Sequence, residues 1–146
     1  MKQEALEKMM YSAILEGRKA LPDCLPNPPV GCVIVKDGHI VSRGYTGKPG
    51  QPHAEAVALK NLDPSIEDFT MFVTLEPCSF QGRTPSCAKA IVKSKVKKVY
   101  VGMLDPHPKN NGAGIDILKA ANIEVSMGPL SAQIEEDLNP YLLKST

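Results

Sequence analysis

Three side chains that bind zinc readily constrain the fold of this chain more than any other feature. They are His53, Cys78 and Cys87, with eight residues, 79 to 86, between the two cysteines. One imidazole and two thiolates give zinc three protein ligands and leave the fourth tetrahedral position open for water, as in catalytic rather than structural sites. A fold that uses this set must bring three separate segments of the chain to one point.

Glu55 adds a carboxylate two residues after His53. On an ideal helix of 3.6 residues per turn the two side chains lie about 200° apart, so Glu55 is better placed to move protons beside a metal than to bind it together with His53. Zinc with an open position lowers the pKa of bound water to about 7. The four residues together predict hydroxide as nucleophile, Glu55 as proton shuttle, and one Zn2+ per chain.

This combination matches the pattern of zinc-dependent nucleobase deaminases, although that pattern has two residues between its cysteines. The predicted reaction replaces an amino group on an amidine-like carbon of a heterocycle by a carbonyl and releases ammonia. An isolated histidine is more often structural, and an isolated cysteine is usually a small buried hydrophobe. The prediction therefore depends on the whole group and not on any one member.

Two disulfides are the alternative use of the four cysteines. The segment from Met1 to Met10 mixes charged residues with apolar ones and has no apolar run typical of a secretory signal. Stable disulfides are rare in the cytosol, so zinc is the favoured interpretation. Cys32, in an apolar run, is expected to be a buried strand residue, and Cys24 lies in a proline-rich loop without an assigned role.

Composition bounds the class of protein. A chain of 146 residues, 42% hydrophobic and 23% charged, is expected to form one domain over residues 1–146. A net charge of +1 with only 4 Tyr, 3 Phe and no Trp argues against nucleic acid as partner or substrate. The apolar runs are too short to cross a membrane. We expect a cytoplasmic protein that acts on a small molecule.

Hydrophobic periodicity predicts alternating helices and strands. Asp37-Gly38 is typical of a hairpin turn, and strands that alternate with helices in the second half favour parallel pairing with helices on both faces. A helix that begins at Cys87 would also favour its thiolate through the helix dipole. Predicted helices cover 2–20, 53–61, 87–94, 115–121 and 131–143, and predicted strands cover 30–35, 39–44, 69–75, 96–104 and 123–127.

The run from Val73 to Cys87 resembles the metal-binding segment of the pyrimidine deaminases of riboflavin biosynthesis. The segments 27–31 (Asn-Pro-Pro-Val-Gly), 53–55 (His-Ala-Glu) and 105–108 (Asp-Pro-His-Pro) fall where that family has similar motifs, so the resemblance spans almost the whole chain. It implies a three-layer α/β/α fold of the cytidine deaminase type, with a mostly parallel five-stranded sheet. It also implies a homodimer or homotetramer.

The same resemblance implies a substrate and the residues that bind it. The substrate would be a diaminopyrimidinone that carries a ribosylamino or ribitylamino phosphate. By position, Asn27 would bind the pyrimidine, Arg83 would match a basic residue of the loop between the cysteines, and Asp105 would lie in the substrate-side loop.

Three further positions implied to face substrate depart from the bacterial members. Thr46 and Phe80 stand where those members have histidine, and His107 stands where they have asparagine. Phe80 replaces a hydrogen-bonding group with apolar or stacking surface. Phe80 and the run 109–111 look closer to the fungal branch. The chain ends at Thr146 without the reductase domain of the bifunctional bacterial enzymes.

Two alternatives stay open from the sequence. A remodelled pocket would accept another nucleobase, a nucleoside, a nucleotide or a pterin with the same chemistry. A non-catalytic module would keep zinc only for folding or binding, but a structural site normally recruits a fourth protein ligand and has no use for Glu55.

Overall fold

A five-stranded sheet lies at the centre of the fold. The computed structural model describes residues 1–80 and 85–142. Its helices are α1 (Gln3–Arg18), α2 (Ala54–Asn61), α3 (Cys87–Val92), α4 (Ala113–Ala120) and α5 (Ser131–Leu138), and a 3-10 turn follows at Asn139–Tyr141. Its strands are β1 (Gly31–Lys36), β2 (His39–Tyr45), β3 (Phe69–Leu75), β4 (Val96–Met103) and β5 (Glu124–Met127).

The strand order is β2-β1-β3-β4-β5. Strand β1 pairs antiparallel with both β2 and β3, whereas β3, β4 and β5 pair in parallel. Four strands therefore run in one direction and β1 runs against them. This confirms the predicted five-stranded, mostly parallel α/β sheet. The carboxyl ends of β2, β3 and β4 meet at one edge of the sheet, where loops that follow them can converge.

The helices form layers on both faces of the sheet. Gly31 packs against α1, whereas Gly44 packs against α2, since a Cβ on either glycine would clash with the backbone of that helix. Cys32 pairs with Gly44 across the hairpin, and neighbouring residues of a strand point to opposite faces. Helices α1 and α2 thus cover opposite faces, which gives the predicted three-layer arrangement.

The hairpin between β1 and β2 has the predicted turn. Asp37 has φ 50° and Gly38 has φ 79°, and Lys36 pairs with His39. Two successive residues with positive φ are the requirement of a type I′ turn, which Asp-Gly meets at low cost. The Asp-Gly prediction is therefore confirmed.

Each of the five predicted helices differs from the structure at one end or both, by one or two residues except at the end of α5. Helix α2 begins at Ala54, and His53 precedes it with extended backbone (φ −77°, ψ 170°), so His53 is not within the helix. Helix α5 ends at Leu138 and not at 143, because Pro140 has no N–H to continue the helical hydrogen bonds. No helix among residues 1–80 and 85–142 is long and apolar enough to span a bilayer.

Candidate active site

Three chain segments bring the predicted metal ligands together. His53 immediately precedes α2, Cys78 follows the end of β3, and Cys87 is the first residue of α3. The distance from His53 Nδ1 is 3.2 Å to Cys87 Sγ and 4.0 Å to Cys78 Sγ. The three ligand atoms all lie within 4.8 Å of one another, close enough to hold one metal ion. One nitrogen and two sulfur donors are the ligand types that zinc prefers.

The first turn of α3 is wrapped around Cys78. Ser86 caps this helix: its Oγ accepts a hydrogen bond from Lys89 N at 3.3 Å and donates one to Cys78 O at 2.9 Å. The backbone N–H of Cys87 donates to Cys78 Sγ at 3.2 Å. The helix terminus therefore stabilises negative charge on Cys78, and the expectation that it would favour the thiolate of Cys87 is wrong.

The two cysteines differ in proton affinity because they face each other. A hydrogen bond from the Cys87 thiol, reinforced by His53 and by the Cys87 amide, lowers the pKa of Cys78 to about 4. The same hydrogen bond, together with burial, raises the pKa of Cys87. Cys78 is thus the more acidic of the two thiols. A divalent metal held by both sulfurs would require Cys87 to lose its proton as well.

Glu55 is buried in the first turn of α2, with 4% of its surface exposed. Burial raises its pKa to about 7, against the opposing effects of a backbone hydrogen bond and of His53. A carboxyl group with a pKa near neutrality can accept and release a proton at similar cost, which suits a general acid and base.

A cavity of about 540 Å³ opens beside this group. This volume suits a small ligand. The described residues that line it come from the loops before β1 and after β2, the end of β3, α2, and the loops after β3 and β4. They are Pro26, Asn27, Pro28, Val30, Thr46, Pro49, Gly50, His53, Glu55, Leu75, Glu76, Cys78, Phe80 and Asp105.

The predicted substrate-side residues are only partly brought together. Asn27, Thr46, Phe80 and Asp105 line the cavity. His107 is not among the described residues that line the cavity. Its ring packs against the ring of Phe80, with the two ring centroids 6.0 Å apart.

Arg83, the sixth predicted substrate residue, lies outside the described residues.

The polar side-chain atoms of Thr46 and His107 accept hydrogen bonds from backbone N–H groups. The hydroxyl of Thr46 accepts from Val30 N at 3.0 Å, and Nδ1 of His107 accepts from Lys109 N at 3.1 Å. Because Nδ1 of His107 is an acceptor, a neutral ring carries its proton on Nε2. The Thr46 contact therefore shapes the cavity wall, whereas the His107 contact lies within its own loop, outside the residues that line the cavity.

Glu76 is a buried carboxylate for which the sequence indicated no role. Its Oε1 accepts from Asp105 N at 3.1 Å and Gly112 N at 2.9 Å, and its Oε2 accepts from Ile115 N at 3.2 Å. These bonds tie the end of β3 to the start of α4. The close approach also requires Gly114, where a Cβ would overlap Pro77 O. An acidic residue directly before Pro-Cys, at a buried strand end, was the available signal.

Comparison with known proteins places the chain among deaminases. Residues 3–103 match the model of the cytidine and deoxycytidylate deaminase zinc-binding region. The chloroplastic riboflavin biosynthesis protein PYRD of Arabidopsis thaliana is 47% identical over 129 residues, which cover 88% of this chain and 29% of that protein. The chain spans about a third of the length of the curated relatives it matches.

Solved structures agree with the fold. Acinetobacter baumannii RibD, form 2, matches with a TM-score of 0.90 and 43% identity over 95% of this chain and 39% of that one. The Aspergillus oryzae Rib2 deaminase in complex with DARIPP matches with a TM-score of 0.76 and 24% identity over 94% of this chain and 92% of that one, which shows the fold alone.

Proposed function

Because the chain belongs to the family of the cytidine and deoxycytidylate deaminase zinc-binding region, we propose that it is a zinc-dependent hydrolytic deaminase of a riboflavin-pathway pyrimidine. The substrate would be a diaminopyrimidinone with a ribosylamino or ribitylamino phosphate. The observation that carries the proposal is the convergence of His53, Cys78 and Cys87 within 4.8 Å, with Glu55 buried beside them in the wall of the same cavity.

The donor set fits zinc and leaves room for water. His53, Cys78 and Cys87 would hold the ion through one nitrogen and two sulfurs. When bound, zinc supplies Lewis-acid activation of water and lowers its pKa to about 7. The adjacent cavity supplies the space for a substrate carbon on the open side.

Glu55 moves the protons of the reaction. Its carboxylate takes a proton from the attacking water, delivers it to a ring nitrogen and then transfers the second proton to the departing amine. The C–O bond forms, the C–N bond breaks, and ammonia leaves, so the net reaction consumes one water. Its burial and its pKa near 7 support this role, because both protonation states are accessible at neutral pH.

Other residues that line the cavity would bind the substrate. The amide of Asn27 and the carboxylate of Asp105 offer hydrogen bonds to a polar heterocycle, and the ring of Phe80 offers a stacking surface. Phe80 is 43% exposed at this wall. This apolar surface also favours the second candidate, deamination of another nucleobase, nucleoside, nucleotide or pterin by the same chemistry.

A substrate panel separates the two candidates. Zinc-loaded protein is assayed for ammonia release from the riboflavin-pathway pyrimidine with and without its phosphate, and from cytidine, dCMP, guanine and a pterin. We expect turnover of the first compound. Turnover of another compound alone would replace the substrate assignment, and no ammonia from any of them would favour the non-catalytic module.

The remaining expectations concern the whole protein. We propose that residues 1–146 act as one domain, that the location is cytoplasmic, and that the chain forms a homodimer or homotetramer. Tyr11 and Leu15 lie four residues apart on α1 and are 43% and 44% exposed, which supports contact with another chain. Light scattering after size exclusion tests the assembly, and a monomer at working concentration would contradict it.

A further inference from the structure

The loop between β4 and α4, residues 104–112, carries the cavity residue Asp105. Glu76 holds its two ends, and a buried side-chain amide joins its middle to the peptides around Cys78. That amide belongs to Asn110, which is 1% exposed. Burial of a side-chain amide costs free energy of folding unless the amide forms hydrogen bonds within the protein. The partners of Asn110 therefore indicate what it is for.

Asn110 contacts the peptide groups on both sides of Cys78. Its Oδ1 accepts from Ser79 N at 3.0 Å, and its Nδ2 donates to Pro77 O at 3.2 Å. These two contacts fix the backbone that carries a metal ligand. They act on Cys78 without any contact to its sulfur.

The same Nδ2 also donates to Asp105 Oδ2 at 3.3 Å. The other carboxylate oxygen of Asp105 accepts from His107 N at 3.0 Å, and the amide of Asp105 donates to Glu76 at 3.1 Å. Asp105 is thus held at its backbone and at both oxygens while it lines the cavity. Of these contacts, the one from Asn110 joins the carboxylate to the metal-binding segment.

Only an amide meets this demand. The position needs one acceptor for Ser79 N and two N–H donors for Pro77 O and Asp105. Aspartate has no donor when it is ionised, and its second oxygen would face two other oxygens.

We propose that Asn110 is a positioning residue that couples the peptide around Cys78 to the carboxylate of Asp105. It fixes the distance between the metal-binding side and the substrate-binding side of the cavity. The inference rests on the proposed deaminase function for its effect on substrate, but its effect on metal retention is independent of the substrate.

Matched variants test the coupling. Asn110→Ala removes all three hydrogen bonds, and Asn110→Asp keeps the size and the acceptor but loses both donors. Asn111→Ala is the control, because Asn111 is the same residue type at the next position and is exposed. The first measurement is the rate at which zinc-loaded protein releases metal to a chromogenic chelator. We expect release to be about 10-fold faster in both Asn110 variants and unchanged in Asn111→Ala.

The second measurement is a double-mutant cycle between Asn110→Ala and Asp105→Ala. We expect Asn110→Ala to raise KM about 10-fold with a smaller change in kcat per bound zinc. In the Asp105→Ala background it should raise KM no further, because the carboxylate through which it acts on substrate is gone. The faster metal release should persist in the double variant, since the contacts at Pro77 and Ser79 are lost there too.

Three outcomes would overturn the inference. The first is unchanged metal release in both Asn110 variants. The second is that Asn110→Ala and Asp105→Ala have additive effects on KM. The third is a lower melting temperature and a smaller active fraction, with KM unchanged in the protein that remains folded. Failure of both variants to fold would equally assign Asn110 a structural role. Absence of turnover in the wild type would instead count against the proposed function, and metal release would still decide the coupling at Cys78.

Discussion

The two sides of the cavity use polar side chains in different ways. On the metal side, His53, Cys78 and Cys87 direct their side-chain atoms at one another, within 4.8 Å. On the substrate side, the hydroxyl of Thr46 and the carboxylate of Asp105 accept hydrogen bonds from backbone N–H groups. The comparison teaches that the metal side holds the reactive groups, whereas much of the polar chemistry on the substrate side holds the wall in shape.

Loss of the metal should give the largest effect. Cys87→Ser replaces a thiolate by a hydroxyl, which is a poor ligand for zinc, so we expect loss of bound zinc and of all deaminase activity. Cys24→Ser is the control, because Cys24 is also fully buried but is not in the metal group. Metal content by mass spectrometry checks the prediction, and stoichiometric zinc in Cys87→Ser would break the assignment of the metal side.

The next effect concerns proton transfer without metal loss. Glu55→Gln keeps the shape of the side chain but cannot shuttle a proton, so we expect kcat to fall about 10²- to 10⁴-fold with zinc retained. Steady-state ammonia release and metal content are measured on the same sample. An active Glu55→Gln would place the proton shuttle elsewhere.

A smaller effect is expected where a carboxylate is structural. Glu76→Gln turns an acceptor oxygen away from one or more of three backbone N–H groups, which should lower the free energy of unfolding by about 1–3 kcal/mol. Glu124→Gln is the control, since its side chain is exposed and bonded to Lys98 at the surface. Urea denaturation of both variants tests this, and equal losses would contradict the connecting role of Glu76.

The smallest expected effect tests whether Thr46 shapes the cavity wall or contacts the substrate. Thr46→Val removes the hydroxyl that Val30 N donates to, so we expect about 1 kcal/mol lower stability with little change in KM. Thr46→Ser keeps the hydroxyl and should recover the stability. A large rise in KM in Thr46→Val at normal stability would make Thr46 a substrate contact and weaken the contrast between the two sides.

Local sequence patterns predicted the elements that depend on near neighbours. The turn at Asp37-Gly38 follows from positive φ at two positions, and the buried strands β1 and β3 follow from runs of apolar and β-branched residues. The end of α5 was missed although Pro140 is visible in the sequence, because apolar periodicity continues past it. His53 was placed one residue too far into α2, a usual uncertainty at helix boundaries.

Contacts between distant segments could not be predicted in the same way. Glu76 bonds to Gly112, 36 positions away, and Asn110 bonds to Ser79, 31 positions away. Neither side chain belongs to a periodic pattern. The thiolate favoured by the helix terminus was likewise assigned to Cys87, since the sequence does not show that the amide of Cys87 points at Cys78.

The sequence by itself indicated the candidate metal ligands, the candidate proton carrier and helices on both faces of a sheet. Zinc affinity and acid-base chemistry depend on residue type, and sheet and helix formation depend on local periodicity. The tertiary structure decided which polar side chains face the cavity and which form hydrogen bonds with the backbone. That outcome depends on burial and on hydrogen-bond partners brought from elsewhere in the chain, because a buried polar group must find a partner wherever the fold supplies one.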